Sequence, residues 1–100
     1  MDIGVISVRY ARALLKTATD QQVEEQVYRE MQLLIKSYAG VQQLRQTIDN
    51  PMLAKDDKRM LLITAAGGDD ISPLAKTFID LVLKEDRENM IQFMANSYVT

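Results

Sequence analysis

The sequence contains no cysteine and no histidine. The first absence excludes disulfides, thiolate-bound zinc and cysteine nucleophiles. The second removes the side chain that most often serves as a general base near neutral pH and as a metal ligand. No apolar run approaches the ~18 residues that a membrane span requires. The opening Met1-Asp2-Ile3-Gly4 lacks a basic leader followed by a greasy stretch, so neither a signal peptide nor direct membrane insertion is expected. An excess of positive charge is missing too. The net charge is −2 and the basic residues are spread along the chain, which argues against nucleic-acid binding. Alternating β-branched runs and Asn-Gly hairpin turns are likewise absent, so nothing speaks for a sheet.

What remains is a chain of 100 residues, 47% hydrophobic and 26% charged, ordinary for a folded protein. A chain of this length buries roughly 65% of its unfolded surface, enough for a single domain over residues 1–100 without staples. Its periodicity is helical almost throughout. Ile3, Ile6, Tyr10, Leu14 and Ala18 recur at spacings of three and four and predict a first helix from Ile3 to about Thr19. Thr19 with Gln22 fits a capping box, and Asp20 offers a second cap for the helix that follows. That second helix carries Val23, Val27, Met31, Leu34, Ile35 and Tyr38 on one stripe and ends or bends at Gly40.

Val41, Leu44 and Ile48 give a short third helix its apolar edge, closed by Asp49-Asn50-Pro51. A fourth helix is expected from Lys55 to Ala66, with Asp56 and Asp57 in its first turn and Gly67-Gly68 as its left-handed exit. Ser72 before Pro73 announces the fifth, a serine cap followed by proline at the first helical position, running to about Glu85. A sixth starts near Glu88 and carries Met90, Phe93, Met94 and Tyr98. The expected fold class is all-α: a compact bundle of about six helices with short connections.

Two of these helices are apolar over too wide an arc. On the first, Arg9, Arg12 and Lys16 share one narrow side, while Ile6, Val8, Tyr10, Ala11, Ala13, Leu14, Leu15 and Ala18 spread over roughly 220°, against the ~100–140° needed for one core. On the fifth, Lys76, Thr77, Asp80 and Lys84 keep to one side. Leu74, Ala75, Phe78, Ile79, Leu81, Val82 and Leu83 cover about 200°. Three readings fit. The two helices are wrapped by neighbours on both sides, or they leave a groove open between them for a partner helix, or they dimerise through that surface. Small Ala11 and Ala13 would allow a close approach.

Other signals point nowhere sharper. Asp56-Asp57-Lys58-Arg59 reads as a solvated first turn. Gly67-Gly68-Asp69-Asp70 lacks both the spaced oxygens of a calcium loop and the Gly-Lys-Ser/Thr of a phosphate loop. With these acids in termini and loops, no apolar pocket is evident to raise a carboxyl pKa. No catalytic residue, cofactor or metal is expected. The six methionines read as core filler, with Met90 and Met94 partly exposed.

Three stretches resemble the delta subunit family of bacterial ATP synthases, related to the mitochondrial oligomycin-sensitivity-conferring protein. They are Val8-Arg9-Tyr10-Ala11-Arg12-Ala13-Leu14; Asn50-Pro51 followed by Lys58 and a Leu-rich helix; and Leu74 to Arg87 with Phe78-Ile79, Leu81-Val82 and Arg87. Thr77 stands where the family usually has asparagine, and Asp86 where glycine often precedes the arginine. The resemblance implies an N-terminal six-helix domain that binds the N-terminal helix of an alpha subunit in a groove between helices 1 and 5. It implies a non-catalytic stator link in a proton-translocating ATP synthase, peripheral on the cytoplasmic face of the bacterial inner membrane, with a C-terminal part that engages the peripheral stalk and is missing here. The partner-binding candidates are Tyr10, Ala11, Ala13 and Leu14 on the first helix and Phe78, Ile79 and Val82 on the fifth. The isolated domain should be a monomer; the alternative is a free-standing helical adaptor or homodimerisation domain.

Overall fold

The computed structural model describes residues 3–100. Six α-helices follow one another: α1 (Ile3–Asp20), α2 (Glu24–Gly40), α3 (Gln42–Asp49), α4 (Lys55–Ala66), α5 (Pro73–Lys84) and α6 (Ile91–Val99). Short 3₁₀ turns at Gly68–Asp70 and Glu88–Met90 lead into the last two. No strand occurs among the described residues. The bundle is all-α, as the periodicity implies.

α2 is the hub. Its fully buried Val27, Met31 and Leu34 form the middle of the core, and α6, α4, α3, α1 and α5 all pack on it. α1 lies chiefly along α6. The small Ser7, Ala11 and Ala18 of its buried stripe, with Ala95 on α6, permit that approach. α5 packs on α4 and α2 through Ala75, Ile79 and Val82, none of which is exposed. α1 and α5 have little close backbone contact with each other.

The helix ends follow local chemistry in most places. Ser72 caps α5, its Oγ accepting from the Ala75 amide at 3.1 Å, with Pro73 in the first turn. Asn50 Oδ1 accepts from the Met52 amide at 3.0 Å, and the chain leaves α3 there. Gly67 and Gly68 take φ of 143° and 67° after α4, where a side chain would be strained. The predicted box at Thr19 and Gln22 does not form. α1 continues through Thr19 to Asp20, Gln22 reverses the chain at φ 59°, and α2 starts after Val23 without a side-chain cap. The Val23 amide instead donates to the Ala18 carbonyl at 2.8 Å, which satisfies the end of α1 from within the backbone. Met90 and Met94 are buried, and Phe93 is the exposed side chain of that stripe.

Polar contacts then fix how the helices sit. Glu30 of α2, only 4% exposed, accepts from both the amide and the hydroxyl of Ser72, the latter at 2.7 Å. An acidic group thus closes the amino end of α5, where the helix dipole favours negative charge. α4 holds the other end of α5 with a row of cations. Arg59 meets Asp80 at 2.6 Å, Lys55 meets Asp86 at 2.6 Å, and the buried Lys58 meets Glu88 at 2.9 Å. Ser37 donates to the Ala65 carbonyl at 3.1 Å, joining α2 to the end of α4. Tyr98 donates to the Glu24 carbonyl at 2.8 Å; burial first, then Glu24, pushes its phenol pKa up, so it remains a donor.

Asp86 takes φ 57°, so the resemblance's glycine position is a left-handed one. Asp86→Gly and Asp86→Ala both lose the exposed Lys55 contact, and only glycine relieves the backbone. The glycine variant should be the more stable of the two by about 1 kcal/mol in urea unfolding. At the other junction, Glu30→Ala strands the buried Ser72 donors and should cost about 2–4 kcal/mol. Ser72→Ala should cost about 1–2 kcal/mol, and the double variant clearly less than the two together. Strict additivity in that cycle would show that Glu30 and Ser72 act separately.

Candidate helix-docking groove

An open depression of about 350 Å3 lies between α1 and α5. Its α1 wall is Arg9, Tyr10, Ala13, Leu14 and Thr17; its α5 wall is Leu74, Thr77, Phe78 and Leu81. Leu14 and Phe78, 4% and 5% exposed, form the floor. Tyr10 and Leu74 are half-buried on the slopes, and Ala13, Thr17, Thr77 and Leu81 are exposed along the rims. Each wall is a stripe at spacings of three and four: Tyr10, Ala13 and Thr17 on one helix, Leu74, Thr77 and Leu81 on the other.

The groove is less polar than its residue types suggest. Thr17 donates its hydroxyl to the Ala13 carbonyl and Thr77 donates to the Pro73 carbonyl, each at 3.0 Å. Both hydroxyl protons are therefore spent on their own helices, and the threonines offer chiefly methyl surface. Arg9 is the one charged residue on the lining. The charged residues of α5 are not part of the lining, and Asp80 pairs with Arg59 of α4. A trough of this shape, with an apolar floor, a tyrosine on the slope and a cation at the edge, suits an amphipathic helix.

The structure brings Tyr10, Ala13, Leu14 and Phe78 together on this groove. It places the other three sequence candidates elsewhere. Ile79 and Val82 have no exposed surface and sit in the core against the rest of the bundle, while Ala11, 3% exposed, turns away from the groove toward the end of α6. Thr17, Leu74, Thr77 and Leu81 were not among the candidates. Their signal is the border stripe, where the apolar arc of each helix meets its polar side. The four aspartates Asp56, Asp57, Asp69 and Asp70 are exposed. Among the described residues no group of three or more acidic side chains is placed to hold a metal ion.

The family model described as the ATP synthase delta (OSCP) subunit matches residues 6–100, spanning α1 through α6. The chain belongs to this family. Curated relatives agree. It is 46% identical over 99 residues to the ATP synthase subunit delta of Phocaeicola vulgatus, covering 99% of this chain and 54% of that protein. It is 41% identical over 99 residues to that of Parabacteroides distasonis, with the same coverage of 99% and 54%. The subunit delta of Bdellovibrio bacteriovorus is 30% identical over 98 residues, covering 98% and 54%. The chain spans about half the length of these relatives. The delta family is one of non-catalytic stator subunits. No helix among the described residues is long and apolar enough to cross a membrane.

Two alanines two residues apart separate groove from core. Ala13→Trp adds its ring over an exposed rim and should change the unfolding free energy by less than about 0.5 kcal/mol. Ala11→Trp overpacks the α1–α6 contact and should cost about 2–3 kcal/mol or more. Denaturant midpoints of the two variants measure both, and equal losses would put Ala13 in the core.

Proposed function

We propose that this delta-family chain is a link in the stator of a proton-translocating ATP synthase and that its α1–α5 groove receives the N-terminal amphipathic helix of an alpha subunit. The observation that carries the reading is the groove itself. It lies between the first and fifth helices, the pair to which the resemblance assigns the docking, and its lining is mostly apolar, with both threonine hydroxyls bonded to their own helices and Arg9 at the edge. The task is mechanical. A stator keeps the catalytic head from turning with the rotor, so the domain has to bind and stay rigid, and no bond is made or broken. The peripheral stalk would be engaged by the part of the relatives' length that this chain does not span, and the assembly would sit at the cytoplasmic face of the bacterial inner membrane.

In this reading Tyr10, Leu14, Leu74, Phe78 and Leu81 grip the nonpolar stripe of the incoming helix, and Ala13 gives it clearance. Five such anchors, each contributing about 1.5 kcal/mol beyond the cost of association, give roughly 7–8 kcal/mol, an affinity near the micromolar level. The α5 wall is already fixed by the Arg59–Asp80 pair and the Glu30–Ser72 junction, which lowers the ordering cost on binding.

The test is an amide-shift NMR titration with a peptide of the alpha subunit's first ~20 residues, long enough for several helical turns. Shifts should concentrate on Tyr10, Ala13, Thr17, Leu74, Phe78 and Leu81, and Ala13→Trp should abolish them. An unresponsive spectrum at millimolar peptide, or shifts confined to α3 and α4, would reject the docking. Sedimentation of the free chain should give a monomer; dimers at micromolar concentration would favour self-association through this surface instead.

A further inference from the structure

α1 has a second flank that the groove does not use. On the side facing away from α5, Val8, Ala11, Arg12 and Leu15 form a trough of about 380 Å3 with Asn96, Ser97, Tyr98 and Thr100 at the end of α6. Val8 and Leu15 are 38% and 43% exposed, and Val5, 52% exposed, extends the same apolar strip toward the start of the helix. Tyr98 turns its ring to this trough while its hydroxyl is held by the Glu24 carbonyl. Exposed aliphatic groups on one helix face, flanked by a second helix, form a surface that water covers at a cost.

Among the described residues, the charged side chains that α1 presents beside the trough are all basic, while the acidic Glu24 of α2 adjoins Tyr98 on the opposite wall. From Ile3 to Thr19 there is no acidic residue, while Arg9, Arg12 and Lys16 run along the outer crest of α1. None of the three forms an ion pair among the described residues. Residues 89–100 carry no charged side chain, so the acid near the other wall is the Glu24 of α2 beside Tyr98 and not a group of α6. The chain as a whole is net negative, so this edge is a local reversal. A second copy of the chain pairing α1 to α1 about a two-fold axis would set cations against cations.

We propose that the α1–α6 trough is a second docking surface, distinct from the α1–α5 groove, whose occupant is an amphipathic helix of a partner protein bearing carboxylates beside its apolar stripe. Val8, Leu15 and the Tyr98 ring take the stripe, and Arg12, with Arg9 and Lys16 behind it, meets the carboxylates. Apolar burial supplies adhesion and the cation row selects the partner by charge.

The experiment uses the full chain, isotope-labelled and carrying Ala13→Trp so that the first groove is obstructed. The probe is a synthetic amphipathic peptide of about 18 residues, five helical turns, with a leucine stripe flanked by glutamates. A control peptide has lysine at the flanking positions. The glutamate peptide should shift Val8, Arg12, Leu15 and Ser97. Its affinity should fall about tenfold or more with Arg12→Glu and weaken on raising salt from about 50 to 300 mM. The lysine peptide should leave those amides in place. Equal response to both peptides, or no response of the trough at millimolar glutamate peptide, overturns the proposal. Shifts seen only in the chain without Ala13→Trp, and only at Thr17, Leu74 and Leu81, overturn it while leaving the α1–α5 reading intact. Concentration-dependent shifts of Val8 and Leu15 without peptide assign the trough to a second copy and also overturn it.

Discussion

The buried contact between Glu30 and Ser72 determines where α5 begins and which way it points. One carboxylate accepts from the backbone and side chain of the same residue, and that side chain in turn accepts from the Ala75 amide. Leaving any member of such a chain unpaired in the interior is expensive, so the three groups hold one another in register. α2 carries Glu30 in the middle of the core and is packed by every other helix. The start of α5 is therefore tied to the helix on which every other helix packs. The groove exists because α5, so placed, lies beside α1 without closing onto it.

The cation row of α4 complements that junction. Arg59, Lys55 and Lys58 reach the later half of α5 and the turn after it. The exposed pairs contribute little each to stability. The buried Lys58–Glu88 pair is of another kind, since removal of either partner leaves a charge in the interior. It also accounts for the lysine that follows Asn50-Pro51 in the sequence. That residue belongs to the joint between α4 and the approach to α6, at a distance from the groove.

Much of the fold was legible because helix punctuation is local chemistry. The bounds Lys55 and Ala66, the Ser72 cap and the break at Asn50-Pro51 each rest on a residue and its immediate neighbours. The turn after α1 was misread for the same reason in reverse. Thr19 and Gln22 have cap-forming side chains, but the backbone satisfied that end with the Val23–Ala18 bond. The site was legible by helix and blurred by residue. A wide apolar arc shows that α1 and α5 have surface to spare, yet the direction of the core depends on α2, α4 and α6, which are distant in sequence. Ile79 and Val82 thus looked as available as Leu74 and Leu81, and Ala11 as available as Ala13. Thr17 and Thr77 escaped notice because their hydroxyls read as polar until their helices absorb the protons. The Glu30–Ser72 tie, across 42 positions, leaves no mark in any local window.

The way α5 is fastened has a mechanical corollary. One end is riveted to α2 and the other to α4, both from behind the face that carries Leu74 and Leu81. Tension applied along that face would run into anchors loaded in parallel at opposite ends of the rod, with no single contact from which peeling could begin. Among the described residues no side-chain ion pair or hydrogen bond ties α1 to another helix; its hold is chiefly the fit of Ser7, Ala11 and Ala18 against α6. Under strain the trench would widen from the α1 side, making one bank the anvil and the other the spring.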